Sequence, residues 1–211
     1  MSPADTAARP AAPARTQPAR RRQPPEVRRA MIIDAARELI AAQGMHATTI
    51  RDIASAAGVA VGTVTYHFSG IAEVLAGVLQ TEMAQFSAAV MQSAADAGTG
   101  AAGLQALTDG LIADGPRATE HWRLWLDFWT LAARQPHYAA WQKDVYRDLH
   151  GLAADLFARG AADGPQRCAI EYIALMDGLV VQTYLPGSRL TAGEARALLE
   201  DYVVHAFARR G

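Results

Sequence analysis

The sequence predicts an all-α protein in two parts, a small three-helix module followed by a larger six-helix bundle. Three observations predict it. Apolar residues make up 51% of the 211 residues but aromatics only 7%, and alanine, the best helix former and a poor strand former, supplies much of the apolar fraction. Apolar positions recur at helical spacing. Gly and Pro interrupt them at helix-length intervals, and no stretch alternates like a strand.

The first 25 residues hold six of the ten prolines (Pro3, Pro10, Pro13, Pro18, Pro24, Pro25). They lack hydrophobic periodicity and read as a disordered, partly polyproline arm. Pro25 and Glu26 suit a helix start. Helix 1 follows over about 26–43, with Ile32, Ala36, Leu39 and Ile40 on one face and Gly44 as its stop. Thr49 is placed to cap a second short helix, with Asp52 reaching back; its apolar face is Ile50, Ile53, Ala54 and Ala57. Gly58-Val59 makes a tight turn into a third helix over about 61–68, with Val61, Val64 and Phe68 inward. Two short helices joined by a Gly-containing turn read as helix-turn-helix. Gly62, Thr63 and Tyr66 form the outward face of its second helix.

Six longer helices follow, over about 71–97, 101–113, 117–134, 137–160, 166–185 and 191–209. Gly98-Thr99-Gly100, Gly115-Pro116, Pro136, Gly160 to Gly164 and Pro186-Gly187 separate them. The last opens with a capping box, Thr191-x-x-Glu194. The expected divisions are 1–25 for the arm, 26–70 for the helix-turn-helix module and 71–211 for the bundle.

Charge is uneven. The net charge is −1, but residues 1–30 carry seven arginines against Asp5 and Glu26, a balance of +5, so the remainder carries −6. A basic arm on an acidic body suits a polyanion met at one end; the plainer reading is a solubilising tail. The single cysteine, Cys168, excludes an intrachain disulfide framework and a cysteine zinc cluster. No secretory leader and no uninterrupted apolar run of about 18 residues is present, so the expected compartment is the cytoplasm, with no membrane partner.

The stretch Ile32 to Phe68 resembles the DNA-binding module of the TetR family of repressors. The matching residues are Ile33-x-Ala35-Ala36-x-x-Leu39, Gly44, Ala47-Thr48-Thr49, Arg51-Asp52-Ile53-Ala54, Ala57-Gly58-Val59, Gly62-Thr63-Val64 and Tyr66-His67-Phe68. The segments Trp125-Leu126-x-Phe128-Trp129, Gln142-x-x-x-Tyr146 and Ala174-Leu175-Met176-Asp177-Gly178-Leu179 resemble the C-terminal domain of its choline-responsive BetI-like branch. The resemblance implies a homeodomain-like helix-turn-helix, a homodimer joined through the last two helices, an inverted-repeat duplex DNA operator, and release by a small-molecule effector. The sequence departs from the family pattern at Ala60, where Ser or Thr usually caps the recognition helix, at Val61, often polar or basic, and at Ile71, often a phosphate-gripping Lys.

The chemistry of the module also follows from its residues. A helix offers side chains to base edges in the major groove while its neighbours anchor phosphates. Thr63 and Thr65 allow close approach, donate to phosphate and offer a methyl to thymine. Tyr66 and His67 sit where a phosphate would pass, and Arg51 is suited to a bidentate contact with guanine. The resemblance implies operator contacts at Thr49, Arg51, Thr63, Thr65, Tyr66 and His67. Arg20, Arg21 and Arg22 of the arm are placed to follow the backbone or enter the minor groove.

Candidates for the effector site are Trp122, Trp125 and Trp129 on one helical stripe, which either packs the core or lines a pocket. Neighbouring helices add Tyr138, Trp141, Tyr146, Tyr172, Met176 and Asp177. A largely apolar, aromatic molecule is the expected effector, although aromatic rings also suit a quaternary ammonium. Asp177 falls on an apolar face and needs a partner, a ligand or an internal hydrogen bond. Asp127 is expected to pair at the surface with Arg123, four residues away. No catalytic triad, phosphate-cradling loop or metal-spaced His pair is present, so neither enzyme activity, a cofactor nor a metal is expected. Asp144 and Asp148 read as a solvated face beside Arg147. The competing classes are a ligand-independent architectural DNA binder and an all-α enzyme.

Overall fold

The computed structural model describes residues 24–208. Within them lie nine α-helices: α1 (Pro25–Gln43), α2 (Ile50–Ala56), α3 (Val61–His67), α4 (Ile71–Ala95), α5 (Gly100–Leu111), α6 (Pro116–Ala132), α7 (Pro136–Arg159), α8 (Pro165–Tyr184) and α9 (Ala192–Ala208). Each sequence-predicted helix is present, with ends shifted by up to two residues. The expectations for the arm, including Arg20, Arg21 and Arg22, lie outside the described residues apart from Pro24 and Pro25.

Local chemistry sets the helix ends. Gly44 ends α1 at φ +80°, a left-handed conformation that glycine adopts without a Cβ penalty. Thr49 caps α2: its hydroxyl accepts from the Asp52 N–H at 3.2 Å, and Asp52 Oδ2 accepts from the Thr49 N–H at 2.9 Å. Thr191 and Glu194 make the same box before α9. Ala60 precedes α3 without a side-chain cap.

Helices α1 to α3 close around Ile32, Ile33, Ala36, Ile40, Ile53, Ala54, Val64 and Phe68, all buried. Val61, expected inward, is 42% exposed, because the first turn of α3 projects beyond the module's core. Helix α4 joins the module to the bundle. Its π turn, Met83–Ser87, shifts the buried face midway. By length and composition α4 is long and apolar enough to cross a membrane, with mean hydropathy 1.2, yet Val74, Leu75, Val78 and Leu79 pack inside this protein. Helix α7 packs on α8, α5 on the C-terminal half of α4 and on α7, and α9 on α8 and α5. Gly103 permits the close crossing of α5: a Cβ there would meet Ala94 O at 2.7 Å and collide with Leu156.

Candidate nucleic-acid interface and effector cavity

The helix-turn-helix end of the molecule is built by α2, α3 and the start of α1. Arg51 and Thr65 are exposed, Thr63 and His67 half-buried, and Tyr66 is 80% exposed. The Tyr66 ring stands edge-on to His67 at 5.1 Å. A shallow groove runs between Thr63, Tyr66 and His67 on one side and Pro24, Pro25 and Arg28 on the other. The polypeptide preceding Pro24 therefore joins the described chain beside the recognition helix. Thr65 Oγ1 donates back to Gly62 O at 3.3 Å. Thr49 is occupied by its cap, since its hydroxyl also donates to Asp52 Oδ2 at 2.7 Å; this holds the start of α2 and fixes the direction of Arg51. Ile71 is half-buried and packs against the hydrophobic core.

The second site is an internal cavity between α4, α6, α7 and α8. Its walls are Met83, Ser87 and Met91 from α4, Leu111 from α5, and His121, Trp122, Trp125 and Trp129 from α6. Helix α7 adds Val145, Tyr146 and Leu149, and α8 adds Met176 and Asp177. Water-sized spheres can be centred in about 40 Å³ of it, room for roughly three waters. The tryptophan stripe is thus both core and lining: Trp122 and Trp125 are each 5% exposed and still face the space. Trp122 Nε1 donates to Leu111 O at 2.8 Å.

Asp177 is the carboxylate of this lining. Its Oδ2 accepts from the Tyr146 hydroxyl at 2.9 Å, the internal bond the sequence suggested. Its Oδ1 is buried without a hydrogen-bond partner. Burial pushes the Asp177 carboxyl up to about 6, with the Tyr146 bond acting the other way. Burial, then the charge of Asp177, raises the Tyr146 phenol well above its ordinary range. An unpaired buried carboxylate oxygen is costly, and Asp177 is the acidic residue among the cavity's lining.

Other candidates stand outside the cavity. Tyr172 is fully buried and shares a 2.6 Å hydrogen bond with Thr108, so it ties α5 to α8. Trp141 stacks on Trp125 at 5.9 Å and meets Phe128 edge-on, supporting the wall from behind, and Tyr138 packs edge-on against Phe128. The expected Asp127–Arg123 pair is replaced by another contact: Asp127 Oδ2 accepts from the Met45 N–H at 2.8 Å, across to the turn after α1. Arg147 bridges Asp144 and Asp148 on the surface as expected. His121 and Glu82, both 2% exposed, were not singled out by sequence reasoning. The one signal for Glu82 was a carboxylate in the middle of a largely apolar helix.

The family model described as bacterial regulatory proteins, tetR family, matches residues 32–78. The model described as BetI-type transcriptional repressor, C-terminal, matches residues 111–208. The HTH-type transcriptional regulator BetI of Serratia proteamaculans (strain 568) is 30% identical over 181 residues, 84% of this chain and 91% of that protein. This chain belongs to the TetR family. BetI of Escherichia coli (strain K12) is 28% identical over 180 residues, covering 84% of this TetR-family chain and 92% of the relative. Among solved structures, a transcriptional regulator from Saccharomonospora viridis in complex with choline superposes with a TM-score of 0.78 at 24% identity. The match covers 85% of this chain and 97% of that one. A regulator from Rhodococcus sp. Rha1 gives 0.75 at 20% identity, with 88% and 97% covered. The TetR-family chain is thus a transcriptional repressor of BetI type, and its family is one of transcription regulators rather than an enzyme class.

Proposed function

We propose that this repressor binds an inverted-repeat duplex as a homodimer and is released when a compact cationic molecule, a quaternary ammonium such as choline, enters the cavity. The observation that carries the reading is Asp177, whose unpartnered Oδ1 shares the lining with Trp122, Trp125 and Trp129. A carboxylate in water pays no such desolvation cost; here the cost is offset by a cation whose methyl groups meet ring faces. The buried carboxylate in the lining favours a cation over the largely apolar, aromatic effector that the sequence suggested. The solved relative named with choline supports the same class.

The operator contacts are assigned to Arg51, Thr63, Thr65, Tyr66 and His67, with Thr49 acting by capping and Arg20, Arg21 and Arg22 reaching the backbone from the arm. Division into an arm to residue 25, a DNA module of 26–70 and an effector body from 71 follows from these roles. Helices α8 and α9 form the dimer surface. Ile170, Leu198 and Val204 are 57%, 48% and 65% exposed there, and the exposed Ala174 and Gly178 continue the face of Ile170 along α8 at i+4 and i+8. Such a protein acts in the cytoplasm, where its operator is.

A two-part titration tests the reading. Choline should quench tryptophan emission and, over the same concentrations, weaken binding to a duplex selected by the protein from a random pool. Quenching without any change in DNA affinity would leave a binder without regulation. The absence of both would favour the ligand-independent DNA binder.

A further inference from the structure

A charged cluster lies where α1, α4 and α6 cross. At its centre is the buried carboxylate Glu82, the residue before the π turn of α4. Arg117 of α6 approaches one oxygen at 3.4 Å, and His121 Nδ1 lies 3.7 Å from it, too far for a hydrogen bond. Arg37 of α1 lies 3.9 Å from the other oxygen. Arg37 also donates to Glu120 of α6 at 3.2 Å and lies 3.8 Å from Glu38. The proximity of His121, and then the Arg117 and Arg37 charges, hold the Glu82 carboxyl below its usual range against the effect of burial. A buried charge cluster is weak evidence for stability, since apolar packing often serves as well. Its position suggests another use.

The cluster has the cavity on one side and the DNA module on the other. His121 and Met83, the residue after Glu82, line the cavity. Arg37 is in the middle of α1, whose buried face is the core of the module. Helix α6 is shared between them. Glu120 and Asp127 are seven residues apart, so they share a face, and both hold α1 or its turn. Trp122 and Trp129 are each displaced from these by two residues, about 200° around the helix, and line the cavity on the opposite face.

We propose that Arg37 is the coupling residue of this repressor, reporting the position of α6 and the π turn to the DNA module through its contact with Glu82. The inference rests on the effector reading. A molecule entering the cavity presses on Met83 and His121 together and parts α4 from α6. Arg37 has three carboxylates in reach, Glu82, Glu120 and Glu38, and exchanges one for another when those helices separate. That gives two discrete arrangements, which a switch needs, rather than continuous strain. Each arrangement fixes a different setting of α1, and therefore of α3.

The test uses the full chain and Arg37→Met, which keeps the apolar stem at a part-exposed site away from the recognition helix. The probes are choline and a duplex selected by the wild-type protein. In the wild type, saturating choline is expected to raise the operator Kd by a factor within about 5–150. Arg37→Met should bind choline and operator separately within about threefold of wild type, while the choline effect on operator Kd falls below about twofold. Glu82→Gln, which breaks the contact from the other side, should show the same loss. Retention of the wild-type factor in both variants overturns the proposal. A second arm uses no effector. All four tryptophans lie between residues 122 and 141, so their emission should change when wild-type protein binds operator and stay constant in Arg37→Met. If choline has no effect on the wild type, the effector reading has failed and this arm decides the junction alone. An emission change that Arg37→Met abolishes upholds it; an equal change in both proteins, or none in the wild type, overturns it.

Discussion

Replacing Asp177 by Asn should strengthen the fold and abolish effector binding in one step. An unfolded Asp ionises near 3.8, and burial moves the folded group to about 6. Below pH 3.8 both states are protonated and the shift costs nothing. Between 3.8 and about 6 the unfolded chain ionises while the folded one keeps its proton, so stability is lost as pH rises. Above about 6 the loss is constant, roughly 3 kcal/mol at about 1.36 kcal/mol per pH unit. Asn is neutral throughout, and its carbonyl still accepts from Tyr146. At pH 8 the variant should therefore melt up to roughly 6–12 °C above wild type, and at pH 4 the gap should shrink to about 1–2 °C. Choline affinity follows the ionised fraction: in the wild type it should fall about tenfold from pH 7 to pH 5, and in the variant it should be weak at both. Any pH dependence surviving in Asp177→Asn belongs to groups other than Asp177. Thermal melts at pH 4 and 8, with tryptophan-quenching titrations at pH 5 and 7, test both halves. Wild-type choline affinity in the variant, or no gain in stability at pH 8, would refute the assignment of Asp177 as a destabilising, ligand-facing carboxylate.

Three further outcomes are expected. Arg51→Ala should weaken operator binding by about 1–3 kcal/mol and relax preference at one base position in a binding selection; a uniform loss on all sequences would make Arg51 a phosphate contact. Ile71→Lys should lower the melting temperature without tightening DNA binding, because Ile71 packs on the core; a steeper salt dependence with a gain in affinity would contradict that packing. Gly103→Ala should cost about 1–3 kcal/mol through overpacking against Ala94 O and Leu156, read as a fall in melting temperature with unchanged affinity per folded molecule.

Most of the fold was legible because its signals are local. Thr49 and Asp52, or Thr191 and Glu194, are three residues apart and need nothing else to form a cap. The tryptophan stripe was legible as a stripe, but not as a cavity wall. Whether Trp129 faces space or protein depends on where the π turn of α4 and the side of α8 come to rest. Tyr172 shows the converse: its aromatic character suggested a ligand, and Thr108, sixty-four residues away, supplies the partner. Glu82 was passed over because its partners come from α1 and α6, and no spacing rule joins them.

Asp127 shows where local rules are outcompeted. Four residues from Arg123 on an exposed-looking face, it had every sign of an i, i+4 ion pair, worth only a few tenths of a kcal/mol. The backbone at Gly44 turns through φ +80° and carries the following Met45 N–H toward α6. A backbone donor left without a partner costs more than a surface ion pair returns, so the carboxylate serves the turn and Arg123 is left to the surface. The exchange also has a functional consequence. A side-chain pair along α6 would have kept that helix to itself, whereas Asp127 joins it to the turn that positions α2, and with it Arg51. Together with Arg37–Glu120, this makes the wall of the cavity part of the frame that holds the residues proposed to face DNA.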